Sequence, residues 1–130
     1  MIVVDASAAL ALALGQADET MYVTGELAAP HLLDCEVLNG LRNLLIGGNL
    51  TEEQAVAALR VFGDIEIERF AVSTLRPRIW ELRYSMTAYD GAYVALAESL
   101  DVDHLLTADA RLANAPGPRC RVRLLGAPWP

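Results

Sequence analysis

Asp5, Glu36, Asp90 and Asp109 are the side chains of this 130-residue sequence whose setting gives them chemistry. Asp5 ends Ile2-Val3-Val4, a β-branched apolar run that reads as a buried strand. Asp109 stands two residues beyond a second such run, His104–Thr107. Asp90 falls in the first turn of a helix beginning near Ala88, and Glu36 in the first turns of a helix after Pro30. Each carboxylate alone reads as a cap, a dipole partner or a solvated helix acid. Together they repel: at ~4 Å and an effective dielectric near 20, each like-charge pair costs on the order of 4 kcal/mol. Such a set persists by sharing protons or by binding a hard divalent cation. Ligands that are all oxygen suit Mg²⁺ or Mn²⁺. A cation held this way binds a phosphodiester oxygen and lowers the pKa of a bound water.

The elements that must position these acids alternate. Strand Ile2–Val4 is followed by a helix over Ala6–Leu14, a second short helix over Asp18–Leu27 and an extended piece at Pro30–Leu32. The helical spacing of Val37, Leu38, Leu41, Leu44 and Leu45 predicts a helix from Leu33, stopped by Gly47-Gly48-Asn49. Thr51 and Gln54 form a capping box for a helix to about Phe62. Ile65–Val72 reads as a half-exposed edge strand, because Ile65-Glu66-Ile67-Glu68 alternates apolar and charged residues. Ser73 or Thr74 is expected to cap a helix through Ser85, with Pro77 in its first turn. Thr87 is expected to cap another over Ala88–Leu100. Strand His104–Thr107, a short helix Asp109–Ala113 and strand Cys120–Leu124 complete the chain. The pattern predicts one α/β domain over residues 1–130, a parallel sheet of about five strands with helices on both faces. In such sheets the functional crevice opens at the carboxyl ends of the strands, where all four acids fall.

Composition narrows the field. Asp and Glu number 17 against 10 basic residues, all arginine, for a formal charge of −7. That balance argues against a broad basic surface for nucleic acid, but not against contact through a bound cation. The absence of lysine removes Schiff-base chemistry and a P-loop. It also disfavours receiver-like or phosphatase designs with Asp5 as nucleophile, which lean on a lysine. Cys35 and Cys120 have no metal-ligand spacing and read as reduced, mostly buried thiols. The apolar run Ala8–Leu14 lacks a basic flank and is too short to span a bilayer, so a cytoplasmic protein without membrane attachment is expected. Asp109 is the last acid, and Arg111, Arg119, Arg121 and Arg123 follow it.

Four blocks carry a family resemblance. They are Ile-Val-Val-Asp5-Ala-Ser7, then Glu36-Val-Leu-Asn39-Gly-Leu-Arg42, then Thr87-Ala-Tyr-Asp90-Gly-Ala-Tyr-Val-Ala-Leu-Ala97, then Leu-Leu-Thr107-Ala-Asp109-Ala-Arg-Leu112. In order and spacing they resemble the motifs of PIN-domain ribonucleases, and most of all the VapC-type toxins of toxin–antitoxin pairs. The resemblance covers essentially the whole chain. It implies a PIN-like fold and an RNA endonuclease whose metal site is formed by Asp5, Glu36, Asp90 and Asp109. Thr107 would orient a carboxylate or metal-bound water beside them; Ser7 and Asn39 match less sharply determined polar positions. A homodimer, a cognate antitoxin that occludes the pocket, and structured RNA such as tRNA or rRNA as substrate are also implied. Gly91 stands where the family commonly has a small residue such as alanine, which predicts a slightly loosened helix start. A catalytically silent PIN-like module that docks RNA or protein is the rival reading.

The remaining side chains read structurally. His31 and His104 have no ligand spacing, and Tyr89 and Tyr93 share a helix face as packing residues. Trp80 reads as core or interface, and Arg76, Arg78 and Arg83 as a solvated face balanced by Glu81. Asp34 points away from Glu36, and Arg42 suits an ion pair or interface.

Overall fold

The computed structural model describes residues 1–18 and 25–126. Five parallel strands form its sheet: β1 (Ile2–Val4), β2 (Leu27–Pro30), β3 (Ile67–Phe70), β4 (His104–Thr107) and β5 (Val122–Leu124). Their order is β3-β2-β1-β4-β5. β1, β2 and β4 are buried along their whole length, as apolar strands covered on both faces must be. β3 lies at an edge and exposes part of its alternating sequence, as its pattern predicts. β1 sits between β2 and β4, with Ile2 paired to Leu27 and His104 and Val4 to Leu106. The sheet therefore changes direction of growth at β1, the switch point where α/β sheets open a crevice.

Six helices flank the sheet among the described residues: α1 (Ala6–Ala13), α2 (Leu32–Ile46), α3 (Glu52–Asp64), α4 (Arg76–Glu81), α5 (Ala88–Ser99) and α6 (Ala110–Ala113). α1, α2 and α3 pack together, and α4 packs on α5, giving a three-layer α/β arrangement. Thr51 and Gln54 make both bonds of the predicted capping box at the start of α3. α5 is buried from Gly91 to Ala97 and lies against β1, β2 and β4. Gly91 is also where α4 comes close, since a Cβ there would stand 3.3 Å from Ile79 Cγ2. The glycine read as a loosened helix start is thus a contact position.

Three expectations need correction. The helix placed over Asp18–Leu27 falls largely outside the described residues, and Leu27 itself begins β2. β2 thereby precedes the extended piece expected at Pro30–Leu32, and α2 begins at Leu32. Leu27-Ala28-Ala29 has helix-forming composition, but pairing on both sides by β1 and β3 overrides it. Finally, neither Ser73 nor Thr74 caps a long helix. Ser73–Leu75 is a 3₁₀ turn, and α4 closes at Glu81, where the Leu82 amide folds back on the carbonyls of Arg78 and Ile79.

Candidate active site

Asp5 anchors the site through its position between β1 and α1. Its Oδ1 accepts the Ala8 amide at 2.9 Å, capping α1, and the Ser7 hydroxyl at 2.6 Å. Its Oδ2 accepts the Thr107 hydroxyl at 2.5 Å, across the pairing of β1 with β4. Thr107 Oγ1 in turn accepts the Asp109 amide at 3.0 Å, while Ser7 Oγ accepts the Ala108 amide at 2.9 Å. The turn after β4 is therefore fastened to the end of β1 by two hydroxyls. Burial pushes the Asp5 carboxyl above its ordinary range and Asp90 adds to the rise, against the pull of Ser7, Thr107 and the Ala8 amide.

The other acids reach the same end of the sheet from helix starts. Thr87 caps α5 by accepting the Asp90 amide, which sets Asp90 in the first turn. Burial raises the Asp90 carboxyl; Arg111 offsets this and Asp109 adds to it. Glu36, in the second turn of α2, accepts the Tyr93 hydroxyl at 2.8 Å. Burial raises its carboxyl as well, Tyr93 opposes, and Asp90 and Asp5 both push it further. Tyr93 lies buried in α5, and burial with the bond to Glu36 keeps its phenol protonated far above the usual range. Asp109 caps α6 by accepting the Arg111 amide at 2.9 Å. The Arg111 guanidinium, 79% exposed, stands 3.4 Å from Asp109 Oδ2 and 3.9 Å from Asp90 Oδ2.

Asp5, Glu36 and Asp90 thus feel one another's charge, and Asp90 and Asp109 share a single cation. Among the described residues no group of three or more His, Cys, Asp or Glu is already drawn together to hold a metal ion. The donor set fits a hard divalent cation in kind, being acidic, oxygen-only and self-repelling.

Sequence reasoning undervalued two residues. Tyr93, read as packing, holds Glu36, and Ser7 joins Asp5 to the turn after β4. An i+3 spacing from Asp90 in the first turn of α5 was the signal for Tyr93. Asp34 does point away, into a two-bond pair with Arg69 of β3. Arg42 makes no ion pair among the described residues and contacts Asn43. Of the four C-terminal arginines, Arg111 reaches the site. Arg119 and Arg121 precede β5, at the opposite end of the sheet, where the Arg119 amide bonds Glu98. Cys35 is exposed rather than buried, and both thiols are free. Trp80 and Tyr89 are exposed, not core. Trp129 lies outside the described residues.

A parallel sheet in this order, with hydroxyl-tethered and helix-start carboxylates at its carboxyl edge, defines a PIN-like α/β protein. The crystal structure of PAE2754 from Pyrobaculum aerophilum resembles it with a TM-score of 0.62 and 25% identity, over 86% of this chain and 82% of that one. Ribonuclease VapC9 of Mycobacterium tuberculosis is 40% identical, covering 96% of this chain and 98% of its own. Ribonuclease VapC1 of the same organism is 42% identical over 95% and 96%, and Ribonuclease VapC12 34% over 96% and 99%. No protein-family model matches the sequence. The chain belongs to the VapC ribonuclease family.

Proposed function

We propose that this protein is an endoribonuclease that hydrolyses RNA phosphodiester bonds as the toxin of a toxin–antitoxin pair. The observation that carries the reading is the tethering of Asp5 by Ser7 and Thr107 beside the mutually coupled Glu36 and Asp90. Asp5, Glu36, Asp90 and Asp109 would hold Mg²⁺ or Mn²⁺. Such a cation supplies Lewis acidity toward a phosphodiester oxygen and acidifies water. Hydrolysis adds water to phosphorus and breaks the P–O3′ bond, leaving 5′-phosphate and 3′-hydroxyl ends.

The chain's own residues prepare that reaction. Ser7 and Thr107 fix both Asp5 oxygens, so the carboxylate cannot rotate away. Tyr93 fixes Glu36, and exposed Arg111 offers a guanidinium to a phosphate beside Asp90 and Asp109. The single domain acts in the cytoplasm as a homodimer under the control of an antitoxin. Exposed Leu38 and Ile46 of α2 and Val56 of α3 supply apolar surface for protein partners. No helix among the described residues is long and apolar enough to cross a membrane.

Incubating the purified chain with tRNA and rRNA in Mn²⁺ tests the reading. Cleavage is expected, lost with chelator and in Asp90→Asn. Chelator-insensitive cutting overturns the metal assignment, and the absence of any cutting favours a silent module.

A further inference from the structure

The four acids are not satisfied alike. Asp5 accepts the hydroxyls of Ser7 and Thr107, and Glu36 accepts that of Tyr93. Asp90 and Asp109 accept no side-chain hydroxyl among the described residues and instead meet Arg111. One nitrogen, Arg111 Nη2, stands 3.4 Å from Asp109 Oδ2 and 3.9 Å from Asp90 Oδ2. Both separations exceed the 2.7 Å and 3.1 Å at which Arg78 grips Glu98. The Arg111 side chain is 79% exposed, against 35% for Asp109 and 25% for Asp90, so the cation lies on their solvent side. It makes no other hydrogen bond or ion pair among the described residues. Its backbone is fixed, because its amide bonds Asp109 Oδ1 and the next residue, Leu112, is buried. Arg111 is a loosely held charge on a fixed backbone.

Exposed ion pairs of this kind bind weakly, yet they matter to a second cation. A small divalent ion draws carboxylate oxygens to about 2.0–2.6 Å, the same oxygens that the guanidinium faces. Two positive groups at those oxygens repel. A guanidinium keeps its proton at any ordinary pH, so it cannot make room by becoming neutral. It makes room by swinging outward into water. Arg111 already acts as a counter-ion, since it opposes the rise that burial imposes on the Asp90 carboxyl.

We propose that Arg111 is a displaceable counter-ion of the acidic site: guanidinium and divalent cation compete for Asp90 and Asp109, and loading the cation releases the side chain. Arg111 thereby lowers the affinity of the site for metal. The released guanidinium is free for an anion, so its contact with a phosphate becomes available once the cation is in place. The inference rests on the metal reading above and adds to it what the cation must displace.

Mn²⁺ binding measured without RNA tests it. In calorimetric titration Arg111→Ala and Arg111→Gln should each bind Mn²⁺ about three- to tenfold more tightly than the parent, because two weak ion pairs no longer compete. Arg76 is the control: exposed at the start of α4, it bonds the Ser73 carbonyl and makes no ion pair among the described residues. Arg76→Ala removes the same charge elsewhere and, at physiological salt, should change Mn²⁺ affinity by less than about twofold. Thermal melts add a second readout. In chelator Arg111→Ala should melt below the parent, because two like charges lose their counter-ion; in saturating Mn²⁺ that gap should close. A gap of equal size with and without Mn²⁺ makes Arg111 a merely structural residue and overturns the inference. Arg111 variants that bind Mn²⁺ like the parent or more weakly also overturn it, while the metal reading stands. Equal tightening in Arg76→Ala assigns the effect to net charge and overturns it too. A parent that shows neither Mn²⁺ binding nor a shifted melt overturns the metal reading and this inference together.

Discussion

The Tyr93 hydroxyl donates a 2.8 Å hydrogen bond to Glu36, joining α5 to α2 at the carboxyl end of the sheet. The phenol is buried and Glu36 is only partly so, which makes this bond the main restraint on where the carboxylate points. Tyr93→Phe removes one oxygen and leaves the ring packed. Mn²⁺ affinity, read by calorimetry, and cleavage rate should each fall about 10- to 100-fold, the cost of losing a partner that orients a ligand. Unchanged Mn²⁺ affinity would show that Glu36 needs no such support.

The metal-free protein should become more stable as pH falls from neutral toward the ordinary carboxylate range. Asp5, Glu36 and Asp90 all have carboxyls raised by burial and by like charge. Between the ordinary carboxylate range near 4 and their raised values, the folded chain binds more protons than the unfolded one. Stability therefore drops as pH rises through that window. Thermal melts in chelator read the slope, and Asp5→Asn should flatten it while remaining folded. A parent slope of the opposite sign would rule out the repulsive cluster.

Thr107 serves two acids with one hydroxyl, donating to Asp5 and accepting the Asp109 amide. Thr107→Val leaves a buried carboxylate oxygen and an amide without that partner and should cost about 1–3 kcal/mol. Thr107→Ser keeps the oxygen and should recover most of the stability and activity. Urea denaturation of the pair, beside the parent, makes the comparison.

At the other end of the sheet, Arg78 and Glu98 pair at 2.7 Å with side-chain exposures of 18% and 15%. Burial would raise the Glu98 carboxyl, but Arg78 and the Arg119 amide hold it below its ordinary value. Its stabilisation is present above the unfolded pKa near 4.3 and is lost as pH falls through the lower folded value. Glu98→Ala leaves Arg78 with Glu81 and the Gly117 carbonyl but takes the acceptor from the Arg119 amide, and should destabilise by about 1–3 kcal/mol. Cleavage per folded molecule should stay the same. A fall in that specific activity would mean the two ends of the sheet are coupled.

The legible parts of the sequence were those where one local signal sufficed. Ile2-Val3-Val4 and His104–Thr107 fall where their apolar runs place them, and Thr51 with Gln54 caps α3 as the spacing predicts. Asp5, Asp90 and Asp109 sit at the element starts expected of them. Leu27–Pro30 was not legible, because its residues prefer a helix and only the neighbouring strands make it extended. Tyr93 and Tyr89 share a helix face four residues apart, yet one is buried and the other 64% exposed. Spacing gives the face, but depth depends on how far a neighbouring element extends. Trp80 failed for the same reason, since α4 ends one residue later and leaves the ring uncovered.

The bond from Thr107 to Asp5 spans 102 residues of sequence. During synthesis the first strand emerges early but lacks both its β4 neighbour and the hydroxyl that sets its carboxylate. No partial chain ending before β4 can arrange these acids, however well its early helices have formed. The acidic site is thus a late product of synthesis, complete only once the chain has passed β4 and reached Asp109.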